Sequence, residues 1–181
     1  MSKDLNEIHL NEFFNLFYNY YIELDKFRKK NKLKIRLPNF AEGLSESIIK
    51  YFIINKEKRN CSPSDFGDLV INNSSLIKVE VKCFASNAPT SFGPKENWNE
   101  IYFLDATDFV NKNFKIYKCN FSNNSDVWKN IKINNKDTFN DVCIKGKRPR
   151  INFNNLKNQL GDNIKVVFDG KVDNLFKNID V

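Results

Sequence analysis

The sequence predicts an α/β (α+β) fold, helices and a sheet in one chain. Three observations carry this. Apolar residues recur at helical spacing through the first thirty positions. Residues 67–82, GDLVINNSSLIKVEVK, read as two short strands joined by a turn. IYFLDA at 101–106 is a near-continuous apolar run, as a buried central strand requires.

The chain has 181 residues, with 41% hydrophobic residues and 17 Phe, enough to fill one full-sized core. The net charge of +7 favours nucleic acid or another anionic surface as partner. Cys61, Cys83, Cys119 and Cys143 lie far apart with no C-x-x-C pair, so they read as reduced thiols. His9 is the only histidine, which argues against a His-based metal site or a His general base. The N-terminus does not resemble a signal peptide and no apolar run is long enough to span a membrane. A cytoplasmic protein is expected.

Residues 4–29 read as a long helix, with Leu10, Phe13, Phe14, Phe17, Tyr21 and Leu24 in phase and Asp4 and Glu7 suited to cap its start. Leu16, Tyr18, Tyr20 and Ile22 widen the apolar surface beyond one stripe. Either the helix is buried on two sides or it meets another subunit. Residues 29–36 form a basic loop. Asn39 then caps a second helix over 40–55, with Leu44, Ile48, Tyr51 and Phe52 facing inward. Glu42 and Glu46 lie one turn apart on it. Each has an ordinary use, Glu42 in the cap and Glu46 opposite Lys50. The alternative is that Glu46 lends a carboxylate to the strands that follow. Residues 56–66 read as a polar link containing Asp65.

On the second strand of the 67–82 pair, Ile77, Val79, Val81 and Cys83 alternate with Lys78, Glu80 and Lys82. One face is therefore apolar, and Glu80 and Lys82 project together from the other. A three-residue loop sets Asn72 opposite Leu76 and Asp68 opposite Glu80. A two-residue loop turns Asp68 into the apolar face. The first register is expected. Two carboxylates and a lysine on one face suit a divalent cation beside a phosphate, because Mg²⁺ takes one or two carboxylates plus water and phosphate oxygens. The ordinary alternative is a surface hairpin with an ion pair of little energetic weight. Asp65 rivals Asp68, but Asp68 begins the apolar strand and is the better fixed of the two.

The segment CFASNAPTSFGPKENW reads as a loop leaving the end of the Glu80–Lys82 strand. Its Ser86, Asn87, Ser91, Lys95 and Asn97 are candidate contacts to phosphates or bases. Asp105 ends the IYFLDA strand, and FKIYKCNF at 114–121 alternates like a neighbouring strand. Trp128 and Ile131 belong to a short helix or extended stretch. KGKRPRINF follows, holding two of the chain's five arginines, Arg148 and Arg150, beside Lys145 and Lys147. Arginine forks match phosphate and guanine edges; a solvated basic turn is the plainer reading. Asn152 caps a short helix that ends before Gly161. Ile164, Val166 and Phe168 alternate as a last strand.

The order of a helix bearing Glu, a strand bearing Asp, a strand bearing E-x-K and a further apolar strand resembles the PD-(D/E)xK nuclease core. Eleven residues separate Asp68 from Glu80, a spacing typical of that core, and Gly67 stands where it usually carries proline. SESIIKYFI, GDLVI, KVEVKCFAS, PTSFGPKENW, IYFLDA and KRPRINF together look like the small type II restriction endonucleases that cut GCNGC. The resemblance implies a restriction-endonuclease-like core, a central mixed β-sheet flanked by helices. It implies one domain over 1–181. Residues 1–36 would be an N-terminal helix and basic loop with a candidate dimer contact, 37–121 the catalytic core, and 122–181 a DNA-contacting and sheet-completing part.

The resemblance also implies roles. Asp68 and Glu80 bind Mg²⁺ with the Val81 carbonyl, Lys82 is the catalytic lysine, and Glu46, with Glu42 as its alternative, is the helix acid. Ser86, Asn87, Ser91, Lys95, Asn97, Lys147, Arg148 and Arg150 are the candidate DNA contacts. Such an enzyme is expected to work as a homodimer on a palindrome, leaving 5′-phosphates, with a methyltransferase protecting the same site. A repair or junction-resolving nuclease on the same core, and a DNA-binding module without catalysis, are the competing readings.

Overall fold

The computed structural model describes residues 7–64, 67–72 and 74–176. Asp4, expected to cap the first helix, and Asp65, the rival acid, lie outside the described residues.

Helix α1 spans Glu7–Lys30 and α2 spans Glu42–Asn55. The residue before α2 is Ala41 and makes no side-chain cap. Asn39 does not cap this helix, because it sits two residues too early and its Oδ1 accepts a hydrogen bond from Arg36 instead. The inner face of α2 is wider than four residues. Leu44, Ile48, Ile49, Tyr51, Phe52 and Ile53 are all buried.

Six strands form one sheet in the order β1-β2-β3-β5-β6-β8. They are β1 (Cys61–Ser64), β2 (Gly67–Asn72), β3 (Leu76–Phe84), β5 (Glu100–Asp105), β6 (Asn113–Cys119) and β8 (Lys165–Lys171). β3 and β5 run parallel and the other neighbours antiparallel, so the sheet is mixed. The polar link expected at 56–66 is part strand. CSPS pairs with β2 as an edge strand, where Pro63 costs no internal ladder bond. The β2–β3 register is the expected one, with Asn72 opposite Leu76 and Leu69 opposite Val79.

Alternation sends side chains from this sheet into two cores. Leu69, Ile71, Val79, Val81, Tyr102, Leu104 and Ile116 pack against α1 and α2. Ile101, Phe103, Tyr117 and Cys119 face the other way, onto Trp128 of α3 (Asp126–Lys129), Phe139 of α4 (Phe139–Ile144) and Phe153, Leu156 and Leu160 of α5 (Phe153–Leu160). Asn152 caps α5 as expected, its side chain accepting from Asn155 N. Ile164 precedes β8 and joins the second core, while Val166 is exposed and Phe168 packs on the first. The register shift between Ile116 and Tyr117 breaks the simple alternation expected there.

Charged groups at the start of β5 serve the fold. Arg59 grips Glu100 with two hydrogen bonds of 2.7 and 2.8 Å, and Lys118 donates to both oxygens of Glu57. Tyr102 closes the group through Glu57. Each charge is paired, as half-buried charges must be. Asp105 is likewise structural, accepting from Thr107 N and Oγ1. Among the described residues, no helix is long and apolar enough to cross a membrane.

Candidate active site

Glu80 and Lys82 occupy alternate positions of β3, so both leave the sheet on the side away from α2. Asp68 sits one residue before Leu69, and the register carries it opposite Glu80. The antiparallel ladder stops at Leu69 and Val79. Two residues further on, Val81 N donates to Asp68 Oδ2 at 2.7 Å. The carboxylate thus takes the place of the next ladder bond. Because the N–H and C=O of one strand residue point to the same side, the Val81 carbonyl faces Asp68 as well.

Glu80 is buried, with 7% of its surface exposed, and its Oε1 accepts from Lys82 Nζ. Burial pushes the Glu80 carboxyl up to about 7; Lys82 opposes the shift and Asp68 adds to it. Burial also raises Asp68, against the Val81 N–H and the Lys82 charge. For Lys82, burial favours the neutral amine, but Glu80 and Glu96 outweigh it and hold the pKa above the usual lysine range. Glu46, half-buried on α2, is pushed up to about 7 by burial first, then by Asp68 and Glu42. Four carboxyls therefore crowd one lysine, and the excess negative charge is what a divalent cation would relieve.

Among the described residues, no group of three or more His, Cys, Asp or Glu side chains forms a metal-binding cluster. The donor set expected from the sequence is two carboxylates, on paired strands, plus a main-chain carbonyl. It fits Mg²⁺, which completes its shell with water and phosphate.

Glu96 joins the site without having been marked by the sequence pattern. Its Oε1 lies 3.2 Å from Lys82 Nζ and also accepts from Gly93 N. The clue in the sequence is a carboxylate three residues after glycine in a Gly-Pro-Lys-Glu turn, on the loop that leaves the Lys82 strand.

The two segments expected to touch DNA are far apart in sequence and joined in space. β4 (Thr90–Ser91) pairs with β7 (Arg150–Ile151), and Phe92 N donates to Pro149 O at 3.0 Å. Asn152 Nδ2 donates to Asn87 O at 3.0 Å. The expected open loop is thus half of a ribbon. Ser91 stands opposite Arg150, while Pro149 and Ile151 are buried and Arg148 and Arg150 are exposed. Neither arginine has a carboxylate partner among the described residues. Lys147, Lys95, Asn97, Ser86 and Asn87 are also exposed. Ser86 has a local use, its Oγ accepting from Ala88 N at 3.3 Å. Lys145 is tied to Asp137 at 2.6 Å.

The family model of the Bsp6I restriction endonuclease matches residues 5–158. The type II restriction enzyme Bsp6I of Bacillus sp. (strain RFL6) is 38% identical over 61 residues, 34% of this chain and 33% of that protein, so the match spans about a third of that relative's length. No solved structure matches the chain. The family match runs from α1 into α5, taking in both carboxylate-bearing strands and the ribbon, and on that extent the chain belongs to the Bsp6I restriction endonuclease family.

Proposed function

We propose that this chain is a type II restriction endonuclease. It would hydrolyse double-stranded DNA at a short palindrome, with GCNGC the candidate, in a Mg²⁺-dependent reaction that leaves 5′-phosphates. The observation that carries the reading is the Asp68 carboxylate bonded to Val81 N, between Glu80 and Lys82, which are bonded to each other, all three side chains at least half-buried.

Asp68, Glu80 and the Val81 carbonyl are the groups that would hold the cation. When bound, it would polarise the phosphoryl oxygen and lower the pKa of a coordinated water. Lys82 stays charged between two carboxylates, ready to orient the attacking water or meet the charge that builds on the phosphate. Glu46, with Glu42 as its alternative, would be the helix acid beside Asp68. Arg148, Arg150, Lys147 and Lys95 would meet the DNA, with Ser86, Asn87, Ser91 and Asn97 as polar contacts beside them.

Residues 1–181 would act as one domain, in the cytoplasm, alongside a methyltransferase that protects the same site. A palindrome calls for a two-fold dimer. Leu16, Tyr20 and Phe27 are 70%, 58% and 53% exposed along one side of α1, apolar positions that the other described residues leave uncovered. The second copy is their proposed cover.

Digestion of a sequenced genome with purified protein and Mg²⁺, followed by mapping of the ends, tests the proposal. Discrete fragments with a shared end sequence support it. Nicking confined to branched or damaged DNA would move the protein to a repair role, and tight DNA binding without cleavage in any divalent metal would make it a binding module.

A further inference from the structure

We propose that Glu96 is a positioning residue for Lys82, an inference that rests on the nuclease reading above. Glu96 is held at both its side chain and its main chain. Oε1 accepts from Gly93 N, and the Glu96 carbonyl accepts from Asn123 Nδ2. Asn123 also accepts from Trp98 N at 3.3 Å, so one side chain clamps both flanks of residue 97. Upstream, Phe92 is buried and bonded to Pro149, which fixes the entry to the turn. The carboxylate is thus placed by a rigid frame before it meets the lysine.

Lys82 needs that frame. A lysine ammonium on four rotatable bonds has no fixed direction of its own. Glu80 alone holds it back along its own strand, where the same carboxylate is also wanted by the cation. Glu96 adds a second anchor at 3.2 Å from another element, and the Phe92 ring lies 5.5 Å from Nζ on a further side. Three fixed groups then define one position for the ammonium. An incidental surface ion pair would be solvated, but the Lys82 and Glu96 side chains are only 18% and 21% exposed.

Gly93 provides the independent sign. A methyl group there would stand 2.9 Å from Glu96 Cγ and Oε1. A side chain at residue 93 would therefore push the Glu96 carboxylate off its present position beside Lys82.

The test uses Glu96→Ala, Glu96→Gln, Gly93→Ala and the Gly93→Ala/Glu96→Ala double variant of the full chain. Two measurements are made. One is the single-turnover cleavage rate of prebound DNA, started with Mg²⁺. The other is the rate of Lys82 modification by an amine-reactive reagent, read by mass spectrometry without DNA or metal. Glu96→Ala should slow cleavage at least tenfold without loss of DNA affinity, and speed Lys82 labelling at least threefold. Glu96→Gln keeps an acceptor for both Gly93 and Lys82 and should restore both rates to within about threefold of the parent. Gly93→Ala should shift both rates in the same direction as Glu96→Ala, and the double variant should be no worse than Glu96→Ala alone. A Glu96→Ala protein with cleavage and labelling both within twofold of the parent overturns the proposal, as does a double variant whose defects multiply. If the parent itself does not cut, the nuclease reading fails, and the labelling rates still decide whether Glu96 holds Lys82.

Discussion

Val81 N reaches Asp68 Oδ2 at 2.7 Å, where the β2–β3 ladder has already ended. The acid therefore closes the sheet margin and faces Glu80 in one act. This separates two roles that substitutions can tell apart. Asp68→Asn keeps an acceptor for Val81, whereas Asp68→Ala leaves that N–H unpaired. Both remove the charge, so relief of repulsion cancels between them. Asp68→Ala should unfold more easily than Asp68→Asn by about 1–3 kcal/mol, the cost of a stranded buried donor. Both should abolish cleavage, as should Glu80→Ala and Lys82→Ala, while the last two keep the fold and much of their DNA binding. Chemical denaturation and plasmid digestion check each half.

The pH response follows from the crowded carboxyls. Glu46 and Glu80 are raised from the ordinary glutamate value of 4.5 to about 7. Between those limits the folded protein holds protons that the unfolded chain has released. Metal-free stability should therefore fall as pH rises from about 4.5 to 7, then level off. If Mg²⁺ binds at Glu80 as proposed, it would compete with the proton there, so its affinity should climb over that range and its stabilising effect should be largest above pH 7. Melting temperatures against pH, with and without Mg²⁺, measure both.

Arg148 and Arg150 stand two apart on the exposed side of the ribbon. Replacing either with Ala should weaken DNA binding at least several-fold. If the arginine holds a phosphate, its removal lowers the slope of log affinity against log salt by about 1. If it reads a guanine, its removal relaxes the preferred sequence and leaves the slope alone. Binding titrations at several salt concentrations, with matched and altered sites, distinguish the two.

Tyr20 lies in the middle of the bare stripe on α1. Tyr20→Glu puts a charge at the proposed two-fold contact without touching either core. The parent should sediment as a dimer and this variant as a monomer. Nicking by the monomer, in place of double-strand cuts, is the matching change in activity.

The central strands and the shared face of Glu80 and Lys82 were legible because alternation and spacing are local. Ile101 to Leu104 could only be buried, and the three residues between Asn72 and Leu76 sufficed to set the register. What escaped were features made by distant partners. Cys61–Ser64 is short, polar and interrupted by Pro63, and becomes a strand only because β2 is there to receive it. Thr90 and Ser91 read as loop because their partners lie some sixty residues away. Glu96 reads as one more loop acid until the turn at Gly93 folds it back onto Lys82. Asn39 misleads because an Asn after proline suggests a cap, yet Arg36 claims its oxygen.

Both margins of the six-stranded sheet are shut to newcomers. On one side Pro63 has no amide hydrogen to offer; on the other, β8 presents Lys165, Asp169 and Lys171 to water. A stray chain docking at either flank would meet a gap or a charge. Strand-to-strand aggregation at high protein concentration should be disfavoured accordingly.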